Sequence, residues 1–251
     1  MKKKIAAIIQ ARISSTRLPK KSMRKVLGKP LLEHMIKQVK KSKQINDIII
    51  ATSIKKENNL IRSFCKKKKI KCFSGSENNL VDRYCGAANF FGIDIIVRLT
   101  SDCPLIDPKV IDICVKKYLS KKYDFVANTN PPKKSTYPDG MDVEIFSYKI
   151  LKFINSSCKN KFYLEHVTPY IWKKSKSYKL HLVKLKKNFS DLRLTVDYIE
   201  DFELVEKIIT YFILNKKEMN LKNIISYIKK NPNVYQINKI RNKKFNKFKY
   251  C

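Results

Sequence analysis

A stretch of basic and hydroxyl side chains follows the first apolar run of this sequence. Residues 10–21 read Q-A-R-I-S-S-T-R-L-P-K-K and come directly after Ile5–Ile9. Cations, hydroxyls and backbone amides bind polyphosphates, and the loop after the first strand of an open α/β sheet is a common ligand site. With only five glycines in the chain, neither a Walker A loop nor a dinucleotide fingerprint can be written. From these residues alone, a phosphate site and a solvated basic loop are equal alternatives.

The elements around this loop alternate between short β-rich runs and longer amphipathic stretches. The apolar runs predict strands at Ile5–Gln10, Asp47–Thr52, Ile70–Phe73 and Asp94–Leu99. Helical spacing predicts helices at Leu31–Lys41, Lys56–Lys67, Leu80–Phe91 and Pro108–Leu119. Several of the strands are apolar throughout, as in a parallel sheet that is buried on both faces. The alternation predicts an α/β fold with a doubly wound, mainly parallel sheet.

The second half of the chain is less regular. Strands are predicted at Phe125–Asn128, Met141–Phe146, Tyr178–Leu185 and Leu192–Val196. Helices are predicted at Tyr148–Asn155, Tyr163–Trp172, Glu200–Leu214 and once more after Leu221. We expect one catalytic domain over residues 1–216 and a short helical, basic extension over residues 217–251. The last 23 residues hold eight basic side chains and no acid. A solvated terminus and a binding arm are the two interpretations of this tail.

The charge of the chain is unusual for a globular protein. There are 55 Lys and Arg against 21 Asp and Glu among 251 residues, a formal charge of +34. Such a surplus raises the possibility of nucleic-acid binding. However, only 8 of the basic residues are arginine, and abundant Asn and Ile beside the lysines indicate AT-rich coding. We therefore expect no nucleic-acid partner, although a basic nucleic-acid-binding protein stays the distant alternative.

The cysteines and the N-terminal residues indicate in which cellular compartment we expect the protein. The chain has seven cysteines and no C-x-x-C pair, which argues against a disulfide framework or a zinc knuckle. Met1–Lys4 and the apolar run after it imitate a signal peptide, but five apolar residues are too few for an h-region. No other stretch approaches the length of a membrane span. We expect a soluble cytoplasmic protein with reduced thiols and no membrane partner.

Several motifs together resemble one enzyme family. They are I-I-Q-A-R-x-x-S-T-R-L-P-x-K, G-K-P-L-L-E-H, residues 75–77, 80–84, 98–108, 137–144, 165–170 and 192–197. In this order they resemble the cytidylyltransferases that make CMP-activated sugars, over roughly residues 4 to 215. The closest branch is named for spore coat polysaccharide biosynthesis protein F and is related to the CMP-ketodeoxyoctulosonate and CMP-acylneuraminate synthetases. The resemblance implies the nucleotide-diphospho-sugar transferase type of Rossmann-like fold.

The resemblance also implies an activity. A hydroxyl of an acidic sugar or similar acceptor would attack the α-phosphorus of CTP and expel pyrophosphate, for the synthesis of surface glycans. Such a transfer depends on positioning and charge neutralisation, usually with Mg²⁺ as the cofactor. The related synthetases are commonly dimers, so a homodimer is expected by analogy. The Lys surplus agrees with an acidic acceptor, whose identity the sequence leaves open.

The same resemblance implies roles for individual residues. The catalytic residues would be Arg12, Lys21 and Asp102. The residues expected to bind the nucleotide are Ala11, Arg12, Ser15, Arg17, Lys21, Arg83 and Thr100. Those expected around the acceptor are Tyr137, Asp139, Asp142, Glu144, His166 and Arg193. Mg²⁺ would be held by Asp102 and Asp197.

Each main assignment has a structural alternative. Asp102 and Asp197 could instead cap the helices that follow them. Arg83 could pair with Asp82 or a neighbouring glutamate rather than read the cytosine edge. His166 could be a buried, hydrogen-bonded core histidine.

The sequence departs from the family pattern at Ser14, Lys20 and Ser101, where glycine is usual. Glycine permits positive φ and a close approach of backbone to phosphate, so Lys20 puts the loop geometry in question. Leu164 stands where members of the branch often have a basic residue, a difference that bears on acceptor choice. A glycosyltransferase of the same fold is a second enzyme alternative. Such enzymes usually hold a metal with an Asp-x-Asp motif, which this chain lacks.

Overall fold

The sheet is built around the first apolar run of the sequence. A computed structural model describes residues 3–120, 123–174 and 176–242. Its strands are β1 (Ile5–Gln10), β2 (Lys25–Val26), β3 (Lys29–Pro30), β4 (Asp47–Ser53), β5 (Lys71–Gly75), β6 (Ile95–Thr100), β7 (Phe125–Ala127), β8 (Glu144–Ser147) and β9 (Leu180–Leu182). Its helices are α1 (Leu31–Val39), α2 (Asn59–Lys67), α3 (Leu80–Phe90), α4 (Pro108–Ser120), α5 (Tyr148–Ser157), α6 (Lys161–His166), α7 (Pro169–Lys173), α8 (Ile199–Leu214), α9 (Leu221–Lys230) and α10 (Pro232–Gln236).

The main sheet has the order β5-β4-β1-β6-β8-β7-β9 in the described residues. Strands β5, β4, β1 and β6 are parallel, and β8 is antiparallel to both of its neighbours. The chain moves from β1 outward to β4 and β5, and then returns to place β6 on the other side of β1. This change of direction between β1 and β6 is the position at which open α/β sheets bind ligands.

Side chains of β1 alternate between two cores. Ala7 and Ile9 face a cluster that includes residues of α1, α4, α8 and α9, whereas Ala6 and Ile8 face one that includes residues of α3, α5 and α7. All four side chains are fully buried, because the strand is covered on both faces. The central strand is thereby fixed, and the loop at its end starts from a rigid support.

The structure confirms the predicted doubly wound, mainly parallel α/β fold. In the first half, each predicted strand and helix is present with small shifts at its ends, except that residues 56–58 form a 3-10 turn before α2. The predicted strands 141–146 and 178–185 are present in part, as β8 and β9. The helix predicted after Leu221 is α9.

The predicted strand Leu192–Val196 is wrong. Only one bridge forms there, between Arg193 and Asp139. The partner segment cannot extend the pairing, because Pro138 has no amide hydrogen and Gly140 turns the chain at a φ of +98°.

The predicted helix Tyr163–Trp172 is wrong as a single element, because α6 and α7 are separate. Val167, between them, has a φ of +67°, and the Thr168 amide donates to the His166 carbonyl at 2.9 Å. Pro169 has no amide hydrogen with which to continue the helical ladder from α6. The break aims α6 toward the end of the sheet that holds the first loop.

The predicted extension begins in contact with the main core. Leu221, Ile224, Ile225 and Ile228 of α9 are buried in the cluster that contains Ile9. Residues 243–251 of the basic tail lie outside the described residues. Among those described, no helix is long and apolar enough to cross a membrane. The six cysteines in the described part of the chain are free thiols, as predicted.

Candidate active site

A cavity of about 870 Å³ opens where β1 and β6 end. Its walls come from the loop after β1, the start of α3, the end of β6, helix α6 and Asp197. We call residues 11–21 the β1 loop. The cavity therefore lies at the change of strand direction, and the basic stretch singled out in the sequence forms one of its walls.

The β1 loop is held by local hydrogen bonds. The Ile13 amide donates to Asn58 Oδ1 at 2.9 Å, and the Lys20 amide donates to the Ile13 carbonyl at 3.3 Å. Lys20 has a φ of +56°, the left-handed conformation for which glycine is suited. Ser14 and Ser101, the other two positions at which glycine is usual, do not have positive φ. Of the three departures, only Lys20 requires the conformation that glycine favours.

Two arginines of the β1 loop face the cavity with much of their surface exposed. The side chains of Arg12 and Arg17 are 55% and 47% exposed. Arg12 approaches Glu77 at 4.0 Å, and Arg17 donates to Asp197 Oδ1 at 2.8 Å. The Arg17 guanidinium also lies over the Tyr198 ring. Much of each guanidinium can thus still meet an anionic ligand.

Asp102 and Asp197 lie side by side at the base of the cavity. Their proximity arises from two bonds to the Asp102 carbonyl, which the Val196 amide donates at 2.8 Å and Thr195 Oγ1 donates at 3.2 Å. Lys21 Nζ lies between the two side chains, 2.8 Å from Asp102 Oδ2 and 2.8 Å from Asp197 Oδ1. The two carboxylates therefore converge on one cationic position.

The charges of this trio stabilise one another. Burial alone raises the pKa of Asp102, but the charge and hydrogen bond of Lys21 outweigh that effect and lower it to about 2. Burial lowers the pKa of Lys21, and the two carboxylates outweigh this and raise it above its ordinary value. Asp102 and Lys21 are thus held in their charged forms at neutral pH.

A buried network surrounds Arg193 behind Asp197. Arg193 Nε and NH2 each donate to Asp201 at 2.9 Å, while NH1 donates to Asp139 at 2.9 Å and NH2 to Asp197 at 3.0 Å. Asn238 Nδ2 donates to Asp201 Oδ1 at 2.9 Å and to the Arg193 carbonyl at 3.0 Å. We call these five residues the Arg193 cluster. Buried charges need such complete pairing, and here the pairing fixes the orientation of Asp197.

A smaller cavity of about 160 Å³ adjoins the first and shares Arg98, Thr100, Asp102 and Asp197 with it. Its other acidic lining residues are Asp139, Asp142 and Glu144. Arg98 forms an ion pair with Glu144 and donates to Gln10 Oε1 at 3.0 Å. This acidic cavity presents hydrogen-bond acceptors beside the basic wall of the larger one.

Comparison with known proteins shows which family has this arrangement. The cytidylyltransferase family model matches residues 6–245. The chain belongs to the cytidylyltransferase family. The predicted family and enzyme class, a CTP-dependent nucleotidyltransferase, are confirmed. Family membership favours this activity over the glycosyltransferase alternative.

Individual cytidylyltransferases and their relatives resemble either most of the chain or a part of it. A solved cytidylyltransferase from Leptospira borgpetersenii is 35% identical, with a TM-score of 0.88, and the match covers 94% of this chain and 98% of that one. Spore coat polysaccharide biosynthesis protein SpsF of Bacillus subtilis is 28% identical over 91% of this chain and 95% of its own length. The 3-deoxy-manno-octulosonate cytidylyltransferase of Geobacter metallireducens is 34% identical over 43% of this chain and 42% of its own length.

The structure gathers most of the sequence-predicted residues of this cytidylyltransferase around the two cavities. Those that line the larger cavity are Ala11, Arg12, Ser15, Arg17, Lys21, Arg83, Thr100, Asp102, His166 and Asp197. The smaller one adds Asp139, Asp142 and Glu144. Two residues predicted to meet the acceptor lie elsewhere: Tyr137 is buried in the core, and Arg193 is 1% exposed inside its cluster.

The structure can be compared with the structural alternatives considered for Arg83 and His166. Arg83 is buried and donates to the carbonyls of Ser76 and Glu77 at 2.7 and 2.9 Å, rather than to the Asp82 carboxylate. His166 is exposed at the end of α6, where its ring lies 4.6 Å from that of Phe162. It is not a core histidine. Leu164, which stands at a position that is often basic, also lines the larger cavity.

Neither predicted metal-binding carboxylate caps a helix. Asp107, five residues after Asp102, accepts from the Lys109 amide at the start of α4 at 2.7 Å. At α8 the N-cap is Tyr198, and Asp201 accepts from the Tyr198 and Asp197 amides at 3.0 Å. The carboxylates of Asp102 and Asp197 therefore have no capping task and face the cavity.

Several residues of the site were not singled out from the sequence. Gln10, Glu77, Arg98, Lys161 and Glu165 line the larger cavity. Gln10, Glu77, Arg98 and Glu165 stand inside motifs of the resemblance, so their positions were available as a signal. Lys161 lies outside those motifs, and nothing in its surroundings distinguishes it from the other lysines of the chain.

The donors at the base of the cavity fit a divalent cation completed by a nucleotide. Asp102 and Asp197 supply carboxylate oxygens that already converge on a cation, the Lys21 ammonium. Within the described residues, no group of three or more His, Cys, Asp or Glu side chains could hold a metal ion. Mg²⁺ commonly takes one or two carboxylates together with substrate phosphates, so two protein ligands suffice.

Proposed function

We propose that this cytidylyltransferase transfers CMP from CTP to a hydroxyl group of an acidic sugar, with Mg²⁺ as cofactor, in the synthesis of a surface polysaccharide. The proposal rests on one observation: a single cavity joins the basic β1 loop to the paired carboxylates Asp102 and Asp197. Transfer of a nucleotidyl group from a triphosphate to a hydroxyl needs cations along the triphosphate and a metal site at the reacting phosphorus.

The β1 loop would bind the triphosphate. Arg12 and Arg17 offer guanidinium groups, Ser15 offers a hydroxyl, and the backbone around Ala11 offers amides. Arg83 and Thr100 would line the nucleoside end of the cavity. Arg83 is fixed by its two bonds to backbone carbonyls, which would give the base a rigid edge to contact.

Asp102 and Asp197 would hold Mg²⁺. When bound, the cation would neutralise phosphate charge as the acceptor oxygen attacks the α-phosphorus and pyrophosphate departs. The protein prepares for this by holding the two carboxylates adjacent and by keeping Asp102 ionised. Asp201 and Arg193 fix the position of Asp197, and the Val196 amide and the Thr195 hydroxyl fix that of Asp102.

The acceptor would bind across both cavities. Its hydroxyls would donate to Asp139, Asp142 and Glu144 in the smaller cavity, since carboxylates accept hydrogen bonds. Its own carboxylate would meet the cations of the larger cavity, where Lys161 and Arg98 lie. An acidic acceptor is supported by the name of the Geobacter relative, which acts on 3-deoxy-manno-octulosonate.

A role in polysaccharide synthesis is supported by the name of the Bacillus relative, the spore coat polysaccharide biosynthesis protein SpsF. A homodimer stays a prediction, which sedimentation velocity would test. The domain boundary at residue 216 also stays a prediction.

A thermal-shift series tests the nucleotide half of the proposal. CTP, UTP, ATP, GTP and dTTP are added with and without Mg²⁺, and a ligand present at 100 times its Kd stabilises the fold by about 2.7 kcal/mol. We expect the largest shift with CTP and Mg²⁺. Equal shifts with all five nucleotides, or none, would contradict the proposal.

Pyrophosphate release tests the acceptor. We expect release with acidic sugars such as 3-deoxy-manno-octulosonate or N-acetylneuraminate and none with a neutral hexose. The Asp102→Asn variant is the matched control. It should release no pyrophosphate, whichever acceptor is added. Release with the neutral hexose alone would keep the nucleotide assignment and overturn the acidic acceptor.

A further inference from the structure

The Lys21 ammonium occupies the position at which the two carboxylates of the site converge. Its Nζ lies 2.8 Å from an oxygen of each, and its side chain is only 14% exposed. Arg17 donates to the same oxygen of Asp197, and Arg193 donates to the other. The facing oxygen of each carboxylate is therefore already bound to a cation of the protein.

A divalent cation bridging these oxygens would need the space that Nζ fills. Mg²⁺ binds oxygens at about 2.0–2.1 Å, so an ion held by both carboxylates could not coexist with an ammonium between them. Two like charges at such a distance would also repel strongly. Either Lys21 leaves the carboxylates or the ion stays out.

We propose that Lys21 is a built-in counter-cation that keeps divalent metal out of the site until a nucleotide triphosphate binds. The phosphates attract Lys21 away from the carboxylates and supply the oxygen ligands that the protein lacks. This inference rests on the proposed function for the identity of the nucleotide and the metal. It adds that metal and nucleotide bind cooperatively and that Lys21 is the residue that links them.

The side chain is suited to two positions. Lysine has a compact charge on a flexible four-carbon stem, unlike the planar guanidinium of arginine. Its backbone begins the 3-10 turn Lys21–Met23 at the end of the β1 loop, and this loop forms the basic wall of the larger cavity. Rotation of the stem alone would carry the ammonium from the carboxylates toward that wall.

The site also needs a cation at all times. Asp102 and Asp197 are held close together and partly buried, and two adjacent carboxylates without a cation repel each other. Lys21 supplies that charge in the free protein, and in the complex the metal replaces the Lys21 ammonium between the carboxylates. Cooperativity of this kind is reciprocal, so metal must tighten nucleotide binding by the same factor.

Mn²⁺ binding, followed by the electron paramagnetic resonance signal of the free ion, tests the proposal without reference to turnover. The protein is titrated alone and with CTP in which a methylene replaces the α,β-bridging oxygen. Lys21→Met removes the charge and keeps the length. Lys25→Met is the matched control, because it removes an exposed charge of β2 that lines neither cavity. A titration of the nucleotide without protein corrects for Mn²⁺ bound by the nucleotide alone.

We expect the wild type and Lys25→Met to bind Mn²⁺ weakly alone and at least about tenfold more tightly with the nucleotide. Lys21→Met should bind Mn²⁺ at least about tenfold more tightly than wild type without nucleotide, and most of the nucleotide effect should disappear. Equal nucleotide-free affinity in Lys21→Met and wild type would overturn the proposal. So would tight nucleotide-free binding by wild type.

Two further readouts separate possible failures. Should Lys21→Met not fold, isothermal titration of the wild type still decides, because absence of coupling between Mn²⁺ and nucleotide overturns the inference. Should no nucleotide bind at all, the proposed function fails. The nucleotide-free comparison of wild type with Lys21→Met would then still decide whether Lys21 excludes the metal.

Discussion

The β1 loop and the Arg193 cluster contain the same kinds of charged side chain in opposite surroundings. Arg12 and Arg17 are about half exposed and keep few contacts with the protein, whereas Arg193 is 1% exposed and donates to three carboxylates. The exposed arginines have bonding capacity left for a ligand. Arg193 instead uses its guanidinium to hold the carboxylates of Asp139, Asp197 and Asp201 in place. Substitutions in the loop should therefore affect binding, and those in the cluster should affect folding.

The largest effect should come from the centre of the cluster. Arg193→Met leaves the buried Asp201 without its charged partner, and breaking a buried ion pair in this way costs about 3–5 kcal/mol. We expect a loss of this size in the free energy of unfolding, measured by urea titration. Arg12→Met is the control and should change it by less than about 0.5 kcal/mol. Similar losses in both variants would abolish the distinction between the two regions.

A smaller loss should follow at the edge of the cluster. Asn238→Ala removes the two hydrogen bonds to Asp201 and the Arg193 carbonyl, and a buried group that loses its partner costs about 1–3 kcal/mol. The turnover number should fall as well, because Asp197 loses part of its support. Asn242→Ala is the control, since Asn242 donates to the Asp191 carbonyl in an exposed position. Stability unchanged in Asn238→Ala would show that Asp201 is held without it.

In the loop, the expected effect is on nucleotide affinity. Arg12→Met should raise the Kd for CTP roughly tenfold through the loss of one charged hydrogen bond. Isothermal titration measures it, with Lys37→Met as the control because Lys37 pairs with Glu33 on α1. An unaltered Kd in Arg12→Met would mean that its exposed guanidinium does not bind the phosphates.

The smallest expected effect is a change in stability at Lys20 of the β1 loop. Lys20→Gly should raise the free energy of unfolding by about 0.5–1 kcal/mol, because a left-handed φ costs a side-chain residue more than the added chain entropy of glycine. Lys69→Gly should behave alike, since Lys69 has a φ of +53°. Lys25→Gly, in β2, should be destabilising. A loss of stability in Lys20→Gly would show that its side chain has a compensating contact.

The sequence predicted the first half of the fold closely, for a physical reason. Strands such as Ile5–Gln10 and Asp47–Ser53 are buried on both faces, so their apolar runs are visible without knowledge of their partners. The segment 192–196 alternates apolar and polar residues, a pattern that also predicts a strand, but it lacks a partner that can pair beyond one residue. Pairing depends on Pro138 and Gly140, more than 50 residues away, and cannot be read from the segment itself.

In the active site, too, some features could be predicted from the sequence and others could not. Motifs placed Asp102, Asp197 and the β1 loop in one place, and the fold brings them to one cavity. The motifs did not show that Lys21 would lie between the carboxylates or that Arg193 would face Asp201. Those contacts depend on how separate loops meet in space, and residues such as Asn238 have no local feature that marks them.

Asn238 has a consequence for how the enzyme comes into being. It is made 37 residues after Asp201 and 45 after Arg193, although it completes their hydrogen bonds. Chains fold as they are synthesised, N-terminal parts first. A nascent chain can thus form the sheet and both cavities while the hydrogen bonds that hold Asp197 are still incomplete. The active site is fully supported only once residue 238 has been synthesised. Proteolytic removal of this segment would take the protein back to that earlier stage.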